Sequence, residues 1–121
     1  MEYNRSLFAS VKYALEGVKH AFSNNRNMRI AFFSAFLVGI LGIFLQISRV
    51  EMAVLIITIL LVILSEMINT SLEEMVNLIV TEHRKEAKIA KDVAAGMVLV
   101  ATLGSVIIGI FIFTPYVLRF F

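Results

Sequence analysis

The sequence predicts an all-α membrane protein: an N-terminal amphipathic surface helix followed by three transmembrane helices in a single domain, residues 1–121. Three observations carry this. Of the 121 residues, 60% are hydrophobic and only 17% charged, with a mean hydropathy of +0.89. Soluble domains are about 45–50% apolar and about 25% charged, and a chain this short cannot bury such a surplus. Charge-free runs recur at lengths near the roughly 20 helical residues that cross a hydrocarbon core about 30 Å thick. Finally, Lys and Arg gather in two regions of the chain. The same figures exclude disorder, which needs low hydrophobicity and high net charge. The absence of Cys excludes disulfides, thiolate metal sites and Cys nucleophiles. The first 29 residues carry charges throughout and lack an apolar core with a cleavage site, so no secretory signal peptide is expected.

The first element spans about residues 6–22. Leu7, Val11, Leu15, Val18 and Phe22 recur every three or four residues, with Lys12, Glu16 and Lys19 between them. That is an amphipathic helix, expected to lie in the membrane interface. The first span is expected from Ile30 to Ile47, which holds no charge. Ser48-Arg49-Val50-Glu51 reads as a short polar turn, and so short a link brings the next helix back antiparallel. The second span starts at Met52 and is uncharged only to Ser65. To cross, it must continue through Glu66 and Asn69 to about residue 71, and its helical pattern runs on to about 80. Thr81–Asp92 is dense in charge and belongs in water or headgroups. The third span runs from Val93 to about Pro115, where Gly96, Gly104 and Gly109 suit close helix contact.

Orientation follows from the positive residues. Arg5, Lys12, Lys19, Arg26 and Arg29 precede the first span, and Arg84, Lys85, Lys88 and Lys91 fill the second loop. With three spans these regions share a side, and only Arg49 and Arg119 fall on the other. The bias places the N-terminus and second loop in the cytoplasm. It also accounts for the net charge of +2 without a nucleic-acid partner.

The chemistry lies in Ser65–Leu78. At 100° per residue, Glu66, Asn69, Glu73 and Asn77 fall within roughly 80° of one another. Glu66 sits about two-thirds of the way through the bilayer, counting about 1.5 Å per residue from Met52. Insertion of a charged residue at a helix centre costs about 2.5–3.5 kcal/mol, so such an acid must face an interior, pair or become protonated. Glu66 and Glu73 lie about 10 Å apart along the axis, too far to share a proton. They suit divided labour: the deeper acid acts on a lipid headgroup, the shallower one holds a hard cation, and Asn69 orients. Lys91-Asp92 sets a cation beside an anion where the third helix enters the membrane. His20 and His83 read as isolated interfacial residues. No G-x-x-x-x-G-K-[ST] or G-x-G-x-x-G loop and no nucleophile elbow are present. Phosphoryl transfer needs mainly positioning and charge neutralisation, which acids, a divalent ion and a Lys provide.

The segment Glu66-Met-Ile-Asn69-Thr-Ser-Leu-Glu73 resembles the signature of the bacterial diacylglycerol kinase/undecaprenol kinase family. Ala87–Val100, with Ala90-Lys91-Asp92, resembles its second block, and Arg26-Asn-Met-Arg29-Ile the entrance to its first span. The resemblance covers essentially the whole chain and looks closer to the undecaprenol branch. It implies a homotrimer in the bacterial inner membrane, its active site cytoplasmic, that transfers the ATP γ-phosphate to a lipid hydroxyl with Mg²⁺. By the same resemblance Glu66 is the general base and, with Asn69, meets the lipid alcohol. Glu73 holds Mg²⁺, joined by an acid of the surface helix, for which Glu16 is the candidate. Lys91 meets the ATP phosphates, Asp92 fixes the Lys91 region, and Glu82 and Asn77 fall at nucleotide contacts. There are departures: Asn77 replaces the usual Asp, and Ser23-Asn24-Asn25 stands where relatives often have Arg, a variable residue and Glu. The favoured expectation is undecaprenol phosphorylation. The alternatives are diacylglycerol phosphorylation, a non-catalytic membrane protein of the same fold, and a proton- or ion-conducting oligomer carried by Glu66.

Overall fold

A computed structural model describes residues 6–121. Arg5, counted in the charge bias, lies outside the described residues. Four helices follow in order: α1 Leu7–Asn24, α2 Arg26–Phe44, α3 Arg49–Ile79 and α4 Lys85–Leu118. Three of them, α2 to α4, are long and apolar enough to cross a membrane.

Each helix has a local reason for its ends. The Ser6 side chain accepts from the Ala9 amide and starts α1. Asn25 is extended and serves twice, ending α1 and capping α2. The helix that carries the first span therefore begins at Arg26, ahead of Ile30, because the capping Asn supplies the acceptor that exposed amides need. It ends at Phe44 rather than Ile47. Gln46 takes φ 56°, the Ile47 amide donates to the Gly42 carbonyl, and the Gln46 amide donates to Ile43. This left-handed stop satisfies the last carbonyls. Ile47 folds back onto Gly42, where an added Cβ would lie 3.1 Å from its Cδ1 and equally close to Met52 Cε.

The expected polar turn at Ser48–Glu51 is instead the start of α3. Ser48 Oγ accepts from the Glu51 amide, and Glu51 Oε1 in turn accepts from the Ser48 amide. That reciprocal box is stronger than a turn. α4 likewise begins at Lys85, eight residues before Val93, so the connection shrinks to residues 80–84. Charge marks the water-facing part of a helix as readily as a loop. Pro115 does not end α4, which continues to Leu118. In the last turn the missing amide removes a single helical bond.

At about 1.5 Å per residue, the 31 residues of α3 reach roughly 46 Å, so the helix outruns a hydrocarbon core of about 30 Å. α3 and α4 run antiparallel. Tyr116 bonds Glu51 at one end and Lys91 bonds Asn77 at the other. Twenty-six residues up α3 therefore match 25 down α4, and the pair does not slip. α2 returns beside α3, with Gly42 against Met52 at one end and Asn25 against Glu66 at the other.

The interior is thin. Among the described residues, only Ala21, Met28, Leu55, Ala94 and Ile112 are buried apolar side chains, while Phe33, Phe36, Val100 and Phe111 face outward. Such a surface needs cover by lipid or by further helices. The apolar residues of α1, Leu7, Val11, Leu15 and Phe22, are exposed in the same way, and Phe22 meets Phe32 of α2 edge-on at 5.5 Å. Four polar residues are buried among the described residues: Thr58, Ser65, Glu66 and Asn69. Thr58 and Ser65 satisfy themselves by donating to Val54 and Val62 carbonyls. Glu66 and Asn69 have no such local solution.

Candidate functional site

The stripe on α3 holds one face of an unbroken helix and passes through two environments. Glu66 is 4% exposed and Asn69 9%, whereas Glu73 and Asn77, one and two turns further on, are exposed. The deep half faces the interior and the shallow half opens at the charged end of the bundle.

Glu66 lines a cavity of about 630 Å³ between α2, α3 and α4, within the range of small-molecule pockets. Its walls are mainly apolar, with Val38, Leu55, Val98 and Phe113 among them, and Asn27 joins Glu66 as a polar lining residue. Along α4 the lining runs from Ala95 to Phe113, about 27 Å at 1.5 Å per residue. One carboxylate thus borders a long greasy groove.

The Glu66 Oε2 accepts from Asn25 Nδ2 at 3.3 Å. The same amide donates to Thr70 Oγ1 at 2.8 Å, and the Thr70 hydroxyl donates to the Glu66 carbonyl at 3.0 Å. Asn69 Oδ1 is buried and accepts no hydrogen bond from the described residues. A buried acceptor without a donor costs about 1–3 kcal/mol, so this oxygen is set to receive something.

Asn77, Glu82, Lys91 and Asp92, distant in sequence, meet in a second cavity of about 390 Å³ between the end of α3 and the start of α4. His83, Arg84 and Lys88 line it as well, so His83 is not isolated. Lys91 Nζ donates to Asn77 Oδ1 at 2.5 Å. Asp92 pairs with Lys88, one turn back, at 2.7 Å rather than with its neighbour Lys91. Glu82 accepts from Arg84 Nε and Nη2 at 3.1 and 2.8 Å. The cluster offers cations to an anion and carbonyl and carboxylate oxygens to a sugar or base.

Glu16 lies elsewhere, exposed on α1, where it lines a shallow groove with Phe8, Val11, Lys12, Leu15 and Lys19. Among the described residues no three acids or histidines converge. The Glu73 carboxylate, exposed at the shallow end of the stripe, nevertheless suits a hard cation such as Mg²⁺. That ion commonly takes one or two carboxylates and completes its shell with water and phosphate oxygens. The free Asn69 oxygen adds to that fit.

Two contacts escaped sequence reasoning. His20 is not isolated: its Nε2 pairs with Glu74 Oε1 at 2.6 Å, tying α1 to the projecting part of α3. Asn25 was visible only as a departure from a family pattern, whereas it touches the central acid. A Ser/Asn-rich break between two helical patterns signals a cap, but nothing in it signals a partner 41 residues away.

Comparison with known proteins bears on this arrangement. The profile of the prokaryotic diacylglycerol kinases matches residues 12–113. A diacylglycerol kinase of Synechocystis sp. is 43% identical over 105 residues, 86% of this chain; the match spans only 60% of that relative's length. An undecaprenol kinase of Bacillus subtilis is 36% identical over 114 residues, covering 94% of this chain and 92% of the relative. A diacylglycerol kinase of Haemophilus influenzae is 35% identical over 95 residues, 78% of this chain and 80% of its own. A three-span bundle with a buried acid on its middle helix, matched by that profile along most of its length, belongs to the prokaryotic diacylglycerol kinase family, whose relatives here are named as kinases of lipid alcohols.

Proposed function

We propose that this chain is an ATP- and Mg²⁺-dependent lipid kinase that transfers the γ-phosphate to the hydroxyl of undecaprenol. The observation that carries this is the buried Glu66 carboxylate bordering a long apolar cavity, on the same helix face as Asn77 of the charged cavity. One site suits a lipid alcohol and the other a nucleoside triphosphate.

In this reading the hydrocarbon chain lies in the cavity and the hydroxyl meets Glu66 and Asn69. Glu66 removes the hydroxyl proton as the oxygen attacks the γ-phosphorus. The bond from that phosphorus to the β–γ bridging oxygen breaks, and ADP leaves with the bridging oxygen. Asn69 orients the hydroxyl or the phosphate. Lys91 holds ATP phosphates, Asn77 positions Lys91, Glu82 meets the nucleoside, and Asp92 steadies this end of α4 through Lys88. Glu73, with Glu16 as the further candidate, would hold Mg²⁺, which when bound would supply charge neutralisation at the phosphates. The charge bias supports a bacterial inner-membrane placement with the N-terminus and both sites cytoplasmic. The thin interior supports oligomerisation, for which a homotrimer is the proposed state.

The cavity supports a polyprenol. Its run of about 27 Å along α4 exceeds half of a hydrocarbon core of about 30 Å, the depth of one leaflet. A single long chain can follow it beyond the midplane. Diacylglycerol is the second reading, favoured by the names of the Synechocystis and Haemophilus relatives. The test supplies the purified chain in detergent with labelled ATP, Mg²⁺ and either undecaprenol or diacylglycerol. Label on undecaprenol, lost in Glu66→Gln and in Glu73→Gln, is expected. Label confined to diacylglycerol replaces the substrate, and no labelled lipid from either alcohol refutes the kinase.

A further inference from the structure

The elbow between the surface helix and the first span carries a residue whose contacts exceed those of a helix cap. Asn25 Oδ1 accepts from the amides of Asn27 at 2.9 Å and Met28 at 3.3 Å. With its oxygen committed to two backbone donors, the side-chain nitrogen has one way to point. It reaches Thr70 Oγ1 at 2.8 Å and Glu66 Oε2 at 3.3 Å. The amide orientation is therefore set by the backbone on one side and by α3 on the other.

The elbow itself is rigid. The Asn25 amide donates to the Ala21 carbonyl at 3.0 Å. Arg29 Nη1 crosses back to the Phe22 and Ser23 carbonyls at 2.9 and 2.8 Å, closing the end of α1. Ala21 is buried beside this turn and Met28 is fully buried. A donor mounted on such a support has little freedom to follow the carboxylate. The carboxylate, 4% exposed, depends on what the protein offers it, because a buried acid without hydrogen bonds is costly. Among the described residues, the hydrogen bond to that carboxylate comes from Asn25.

We infer that Asn25 is a positioning residue for the phosphoryl transfer: its side-chain N–H fixes the Glu66 carboxylate toward the lipid hydroxyl, and its carbonyl oxygen caps α2. This rests on the reading of Glu66 as the proton acceptor. The bond is long at rest, and catalytic contacts of this kind tighten when substrate arrives. The anchoring through Thr70 and the two capped amides keeps the donor in place for that moment. A neutral donor serves better here than a cation, which would pair with the acid and hold it from the hydroxyl.

The two roles separate by mutation, because Ser caps a helix about as well as Asn while its short side chain cannot present a second-reach amide. The full chain is assayed in detergent with ATP, Mg²⁺ and the lipid alcohol it phosphorylates, alongside thermal unfolding of the same preparations. Asn25→Ser is expected to lower kcat about tenfold, the effect of losing one hydrogen bond to a charged group. It should leave the KM for ATP within about twofold and lower the midpoint of unfolding less than Asn25→Ala does, because the cap is kept. Asn25→Ala, which loses cap and donor together, should show the same fall in kcat with a lowered unfolding midpoint. Wild-type kcat in Asn25→Ser overturns the inference, as does a fall in kcat that tracks unfolding across the two variants. Glu66→Gln in the same series separates the levels. Full activity there refutes the proton-acceptor reading itself, whereas an inactive Glu66→Gln beside a fully active Asn25→Ser refutes only the role of Asn25.

Discussion

Removing the charge of Lys91 while keeping its bulk tests whether the two cavities divide the work. In Lys91→Met the ammonium that donates to Asn77 Oδ1 at 2.5 Å is gone, and the charged cavity keeps Arg84 and Lys88. A charge-assisted hydrogen bond to phosphate is worth about 1.5–3 kcal/mol, which converts at about 1.4 kcal/mol per decade to roughly a 10- to 150-fold loss in kcat/KM for ATP. The fold should barely notice. Asn77 is exposed, so water replaces the lost donor and the unfolding free energy changes by less than about 1 kcal/mol. The lipid side should not notice either. Lys91 does not line the apolar cavity, and Asn77 lies 11 residues beyond Glu66, about 16 Å along α3. Initial rates of phosphate transfer, with ATP varied at saturating lipid and then the reverse, give both KM values. A loss of less than threefold in kcat/KM for ATP, or a loss that appears as a raised lipid KM, refutes the assignment of Lys91 to the triphosphate.

Three further outcomes follow from single contacts. Asn77→Asp turns the Lys91 hydrogen bond into an exposed ion pair worth about 0.2–1 kcal/mol; the KM for ATP should move by less than about fivefold, and a larger change would make Asn77 a direct nucleotide ligand. Gln46 holds φ 56°, a conformation that costs a side chain about 1 kcal/mol. Gln46→Gly should therefore raise the free energy of unfolding in detergent by about that amount at unchanged kcat, and a destabilised variant would show that the side chain matters more than the backbone. Tyr116→Phe removes the latch to Glu51 and should cost about 0.5–1.5 kcal/mol in the same measurement without altering either KM; an altered KM would tie that end of the bundle to the chemistry.

Sequence reasoning singled out Glu66 but not its surroundings. Glu66 stands out because an ionisable residue on a spanning helix has few reasons to be there, and helical periodicity alone aligns it with Asn69, Glu73 and Asn77. Asn25 does not stand out, because an Asn between two helices is an ordinary cap. His20 looked isolated because its partner, Glu74, is 54 residues away. The Ser48–Glu51 box is legible as S-x-x-E, but two charges in four residues resemble a loop equally well.

By itself the sequence determined that this is a four-helix membrane protein with three spans, an acid-bearing middle helix and its charge concentrated at one end. Those properties follow from local quantities: residues per turn, the thickness of a bilayer and the cost of a charge within it. Tertiary structure decided which groups share a space. The antiparallel register of α3 and α4 carries Lys91 to Asn77 and closes a cavity around Glu82 and Asp92. The elbow before α2 carries Asn25 to Glu66. Such encounters depend on how helices distant in sequence slide and turn against one another, which no period within a single helix encodes.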